Sequence, residues 1–192
     1  TLGTFFLWFG WFGFNGFSQL AIGTFDDVTA LTKIAVNTHL AGAGGVVTGA
    51  VVTRLLDSKT DVVMMLNGAL AGLVAITAEP LSPTPGLAIV IGSIGSLIMY
   101  FGTKFLERRG LDDVVGAIPV HMFSGIFGTL IAPITNPETT FGIQFTGVLA
   151  ICSFSFILSF IIFKTLKATV GLRISKEAEK LGTDVAEIGV RA

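Results

Sequence analysis

Apolar residues in this 192-residue chain come in long runs separated by short clusters of charge. A bilayer's hydrocarbon core takes about 20 apolar residues in helical form, and the charges divide the sequence into six stretches of about that length. The first runs from Thr1 to Thr24 and is closed by Asp26-Asp27, the second lies between Lys33 and Arg54, and the third between Asp61 and Glu79. The fourth starts near Gly86 and precedes Lys104, and the fifth lies between Asp113 and the turn Pro133-Ile134-Thr135-Asn136-Pro137. The sixth fills the gap from Glu138 to Lys164. None alternates with the period of two that marks a lipid-facing strand, so each is expected as a helix. The pattern predicts an all-α polytopic membrane protein with spans near 2–24, 34–54, 61–79, 86–107, 113–133 and 139–166. Together they form a transmembrane domain over 1–170, followed by a tail over 171–192.

Composition agrees with this pattern. The chain is 52% hydrophobic and 13% charged, with a mean hydropathy of +0.81, whereas soluble domains carry about 25% charged residues. The formal net charge of −1 is spread over inter-helix clusters and offers no basic surface for nucleic acid. Cys152 is the only cysteine, which excludes an intramolecular disulfide. Thr1 already lies in an apolar run, with no initiator Met and no basic flank, and is read as an internal position of a longer protein.

Charge also predicts orientation. Six spans would put Arg54 and Lys59, then Lys104, Arg108 and Arg109, then the basic residues from Lys164 onward on one side of the membrane. Only Lys33 would lie opposite. The positive-inside rule makes the richer side, and with it the tail, cytoplasmic.

The 24 glycines cluster within the spans: Gly45 with Gly49, Gly68 with Gly72, and Gly10, Gly13 and Gly16 at three-residue intervals. Small residues let helix backbones approach closely in lipid, so a compact bundle is expected.

Few residues could carry chemistry. Trp11, Phe14 and Ser18 stand at i, i+3 and i+7 and share a helical face. Aromatic rings attract a small cation by roughly 0.5–2 kcal/mol, and a hydroxyl accepts its hydrogen bond. An interfacial aromatic belt explains the same residues, as does packing in a chain with 17 phenylalanines. His121 lies mid-span, where ionisable groups usually face a cavity or a partner. By helical spacing Ser124, Gly125 and Gly128 share its face, which predicts a buried imidazole on a narrow, small-residue passage. A packing histidine bonded to a carbonyl is the plainer alternative. His39 and Asn67 are explained by interhelical hydrogen bonds, and Asp112 and Asp113 by capping of the fifth helix. His, Cys, Asp and Glu nowhere adopt metal-ligand spacing, so no metal or cofactor is expected. Ser124 lacks the turn and acidic partner of a hydrolase, and an enzyme is not expected either.

Four segments together resemble one family. Gly3-Thr4-Phe5-Phe6-Leu7-Trp8-Phe9-Gly10-Trp11-Phe12-Gly13-Phe14-Asn15 resembles the sixth helix of ammonium transporters of the Amt/Mep/Rh type. Asn67-Gly68-Ala69-Leu70-Ala71-Gly72-Leu73-Val74-Ala75-Ile76-Thr77 is similar to their eighth. Asp112-Asp113-Val114-Val115-Gly116-Ala117-Ile118-Pro119-Val120-His121 resembles the approach to their tenth, and Thr169-Val170-Gly171-Leu172-Arg173 the start of their cytoplasmic tail. The resemblance implies an eleven-helix protomer of two inverted five-helix repeats enclosing a pore, assembled as a homotrimer. This chain would be the second repeat plus the final helix, lacking the N-terminal five-helix repeat.

By the same resemblance Phe14 is one of two stacked phenylalanines gating the outer mouth. Ser18 supplies the hydroxyl of the external ammonium site, beside Trp11. His121 is the second of two paired pore histidines, and Asp113, with Asn67, is structural near the pore. The implied function is permeation of ammonium or ammonia through a hydrophobic pore in a plasma membrane. The alternative is an ammonium sensor with a fused cytoplasmic signalling domain or a separate regulator; a structural subunit without substrate is a third. The chain departs from the family in three places. The helix bearing the first pore histidine is absent, Glu79-Pro80-Leu81-Ser82-Pro83 replaces a small-residue turn, and Ile188 stands where bacterial members often place a histidine. Because inverted repeats put the path between them, one repeat gives one wall, with Asn67 and His121 on its exposed inner face.

Overall fold

The computed structural model describes residues 1–190, and among these residues every regular element is helical. The chain divides into two compact units, residues 1–148 and 149–192. The first unit holds α1 (Leu2–Phe17), α2 (Phe25–Leu56), α3 (Val62–Ile76), α4 (Pro85–Arg108), a π-turn (Ile118–Phe123) that runs into α5 (Ser124–Ile131), and the start of α6 (Phe141–Thr169). The second unit holds the rest of α6, then α7 (Lys176–Leu181) and a closing turn (Asp184–Ile188).

Among the described residues three helices are long and apolar enough to cross a bilayer: α2 with 32 residues, α4 with 24 and α6 with 29. The other apolar helices are shorter, α1 having 16 residues and α3 15, or about 24 and 22 Å of helix.

Local chemistry explains the boundaries. The sequence pattern put Asp26-Asp27 at the end of the first span, but both lie in the first turn of α2. Asp27 accepts from the Thr24 N–H at 2.9 Å, and the Thr24 hydroxyl accepts from the Asp27 N–H at 3.1 Å. The pair is therefore a capping box, in which carboxylates favour the positive end of the helix they begin. Lys33, expected before the second span, lies inside α2. Asp61 caps α3 through the Val63 and Met64 N–H groups, and Thr84 caps α4 ahead of Pro85.

Glycines determine how the helices meet. A side chain on Gly45 would collide with the Gly68 carbonyl oxygen, and one on Gly72 with that of Ala41. A Cβ on Gly68 would come within 2.6 Å of the Gly45 oxygen, and one on Gly49 within 2.8 Å of that of Met64. The two G-x-x-x-G pairs thus form one antiparallel seam between α2 and α3. Gly10 has nothing within 4 Å, Gly13 meets only the Phe17 ring, and Gly16 meets only the Leu31 side chain at 3.7 Å, so among the described residues this stripe of α1 forms no close backbone seam.

Helices α2 and α4 run in the same direction. Near one end the buried Asn37 amide donates to the Pro80 and Pro83 oxygens at 2.9 and 2.8 Å. Near the other, the Tyr100 hydroxyl donates to Asp57 at 3.0 Å and Lys104 lies 3.7 Å from the same carboxylate oxygen. The buried core, to which α2, α3 and α4 contribute, is small-residue and aliphatic, including Ala41, Ala71, Leu73, Ile76 and Met99.

Candidate functional site: an aromatic and histidine face

Two aromatic residues of α1, Trp11 and Phe14, lie side by side on the first unit. Phe14 is 63% exposed, and Trp11 is half-buried with its ring edge-on to Phe14 at 6.1 Å. The Trp11 indole N–H donates to the Thr77 hydroxyl at 2.7 Å, and that hydroxyl donates to the Leu73 carbonyl at 2.7 Å. Thr77 ends α3, so this pair pins α1 against it. Ser18, at the end of α1, is exposed and donates its hydroxyl to the Phe14 carbonyl at 2.8 Å. With its proton committed, the oxygen can only accept from a ligand.

His121 joins this face from 110 positions along the chain, its imidazole nearly parallel to the Trp11 indole at 6.5 Å and 11°. It is exposed, not buried as its span position had suggested. Ser124 and Gly128 do not share its face: the Ser124 hydroxyl is buried and donates to the Gly95 and Pro119 oxygens at 3.1 Å, and Gly128 lies against the Ala75 carbonyl. The π-turn causes this. Its i→i+5 winding advances each side chain by less than an α-helix does, so spacing from 121 to 124 no longer means one face. Gly102 lets the turn seat, since a Cβ there would lie 2.5 Å from the Phe123 ring and 3.1 Å from Pro119.

Two residues hold the approach to His121. Asp113 accepts from the Ala117 and Ile118 N–H groups at 2.9 and 2.8 Å, capping the turn. Asn67, half-buried on α3, donates to the Val115 carbonyl at 3.0 Å. Gly116 lies between them with φ of +73°, and a Cβ there would approach the Asn67 amide to 2.8 Å. Only glycine satisfies both conditions at no cost.

His39 lies elsewhere, tilted on Trp8 at 5.5 Å and stacked on Phe12 at 6.2 Å. Ring contacts take the place of the interhelical hydrogen bond expected for it. Thr77 escaped the sequence pattern, because a threonine after an apolar helix carries no sign of its partner. No group of three metal-ligating side chains occurs among the described residues.

Comparison with known proteins resolves the family. The sequence model of the Ammonium Transporter Family matches residues 1–192. The chain belongs to that family. It is 42% identical over 206 residues to the ammonium transporter Amt2 of Archaeoglobus fulgidus, covering 97% of this chain and 43% of that protein. It is 32% identical to the ammonium transporter of Bacillus subtilis, over 100% of this chain and 50% of the other. Among solved structures it resembles a Sensor Amt Protein (TM-score 0.86, 37% identity, 97% of this chain and 48% of that one). It also resembles Candida albicans Mep2 (TM-score 0.80, 28% identity, 98% and 45%). This family member therefore spans about half the length of the relatives it matches, and it shares their all-α polytopic membrane fold.

Proposed function

We propose that this chain forms one wall of a path for ammonium or ammonia across a membrane, and that a preceding five-helix repeat supplies the other. The observation that carries the reading is the face shared by Trp11, Phe14 and His121. Two rings of α1 and an imidazole from a distant segment lie on one exposed side of a bundle with membrane-length helices. Such a face is poorly suited to lipid, since ionisable groups at membrane depth usually face a cavity or a partner. Against a second repeat it becomes the lining of a passage.

In this reading Ser18 and Trp11 receive ammonium at the outer end, and Phe14 is half of a gate behind them. The cation is dehydrated there, and the nitrogen passes His121 and a partner histidine of the other repeat. Asp113 and Asn67 hold the turn that places His121. All six apolar helices cross the bilayer, the helix ends bearing Arg54 and Arg108 face the cytoplasm with the tail, and the whole protein assembles as a homotrimer in a plasma membrane. The protein moves its substrate without covalent chemistry.

The similarity to a Sensor Amt Protein supports a second reading, in which the same face binds ammonium and a cytoplasmic domain reports it. Ammonium-evoked current in liposomes bearing the whole protein distinguishes them. Transport gives a saturable current that Phe14→Ala alters and His121→Ala reduces at least tenfold. Wild-type protein that binds ammonium without current is a sensor.

A further inference from the structure

Glu79 begins the turn that departs from the family pattern, two residues beyond the Thr77 that holds Trp11. Its carboxylate is fixed by two neutral donors. Oε1 accepts from the Ser82 N–H at 3.0 Å, and Oε2 accepts from the Asn136 side-chain amide. Asn37 braces the same turn from α2 through the Pro80 and Pro83 carbonyls. The ion pairs among the described residues are Lys104 with Asp57 and Glu107, and Arg173 with Glu179. Glu79 is in none of them. Neutral donors orient a carboxylate without cancelling its charge, so its field reaches solvent undiminished by a counter-ion.

The contact between Asn37 and this turn puts the beginning of α2 and the end of α3 at one end of the bundle. The other charged groups of that end are Asp26 and Asp27 in the first turn of α2, Lys33 two turns further in, and Glu138 beyond Asn136. Asp27 is committed to its capping box. Carboxylates outnumber the single lysine, and Glu79 is the one tied through Thr77 to the aromatic face.

We propose that Glu79 steers small monovalent cations to the outer mouth, raising their concentration beside Trp11 and Phe14 without lining the path. The proposal rests on the reading that this face conducts ammonium. Fixed charge at a cleft acts on encounter and is screened by salt. One unit charge roughly 8–10 Å from a cation in water changes its local concentration about twofold.

The test is ammonium uptake by liposomes bearing the whole protein, at ionic strengths of about 0.01 M and about 1 M, where the Debye length is about 30 Å and about 3 Å. Steering predicts that wild-type KM rises with ionic strength. Glu79→Gln should raise KM about twofold at low salt with Vmax unchanged, converge on wild type at high salt, and differ from Glu79→Asp, which keeps the wild-type KM. A wild-type KM indifferent to salt overturns the proposal, as does a Glu79→Gln defect that persists at high salt or is shared by Glu79→Asp. If wild type takes up no ammonium, the conduction reading itself fails, which is a separate and recognisable result.

Discussion

The indole N–H of Trp11 donates to the Thr77 hydroxyl at 2.7 Å, tying the aromatic helix α1 to the end of α3 on the face that carries His121. The bond uses the donor edge of the indole and leaves its ring face free toward the imidazole. An acceptor of this kind positions a side chain instead of binding substrate.

Thr77→Val keeps the shape and removes the acceptor. The stranded N–H should destabilise the protein by about 1–3 kcal/mol and lower ammonium uptake through loss of ring placement. Thr77→Ser should behave as wild type. Thermal unfolding in detergent and uptake, measured on all three, check it; a valine variant matching the serine one in both would remove Thr77 from the site.

The seam between α2 and α3 has no room for a methyl group. Gly68→Ala would drive its Cβ to 2.6 Å from the Gly45 oxygen, and overpacking of this kind costs about 1–3 kcal/mol. Gly10→Ala, with nothing within 4 Å, should leave the melting temperature of this chain unchanged or raise it slightly, since alanine favours a helix interior over glycine by about 0.5–1 kcal/mol. Equal melting temperatures for the two variants would contradict the seam.

How much of this was legible beforehand depended on the kind of signal. Apolar runs and helices coincide unevenly: the expected 86–107 lies on Pro85–Arg108 and 139–166 on Phe141–Thr169, whereas 2–24 meets Leu2–Phe17 and 34–54 meets Phe25–Leu56. The glycine spacing implied close helix packing without saying which helices meet: the Gly45/Gly49 and Gly68/Gly72 pairs face each other, whereas Gly10, Gly13 and Gly16 form no such seam. Charge as a boundary misled at Asp26-Asp27, since a carboxylate favours the start of a helix as readily as it ends an apolar run. The face of His121 was misread for another reason. Helical spacing assumes 3.6 residues per turn, and nothing in Ile118–Phe123 except Pro119 hints at a wider one. Thr77 and Asn67 were unreadable as partners because their contacts, Trp11 and Val115, lie 66 and 48 positions away.

Asp113 should act on transport at a distance. It satisfies two backbone N–H groups ahead of His121, and removing such a cap costs about 0.5–2 kcal/mol. Asp113→Ala should therefore weaken the turn and reduce uptake, with Asp113→Asn intermediate because one acceptor oxygen survives. Uptake rates together with accessibility of a cysteine at position 121 to a small thiol reagent check it. Unchanged accessibility in Asp113→Ala would show that the cap does not set the position of His121.

The central claim is that this chain is one wall of an ammonium path and conducts only with its partner repeat. The most direct measurement compares ammonium-driven pH change in liposomes bearing residues 1–192 alone with liposomes bearing the same chain together with the five-helix repeat that precedes it. The claim predicts no saturable change for the first, and for the second a saturable change that falls at least tenfold with His121→Ala. Robust, saturable uptake by residues 1–192 alone, abolished by His121→Ala, would contradict it.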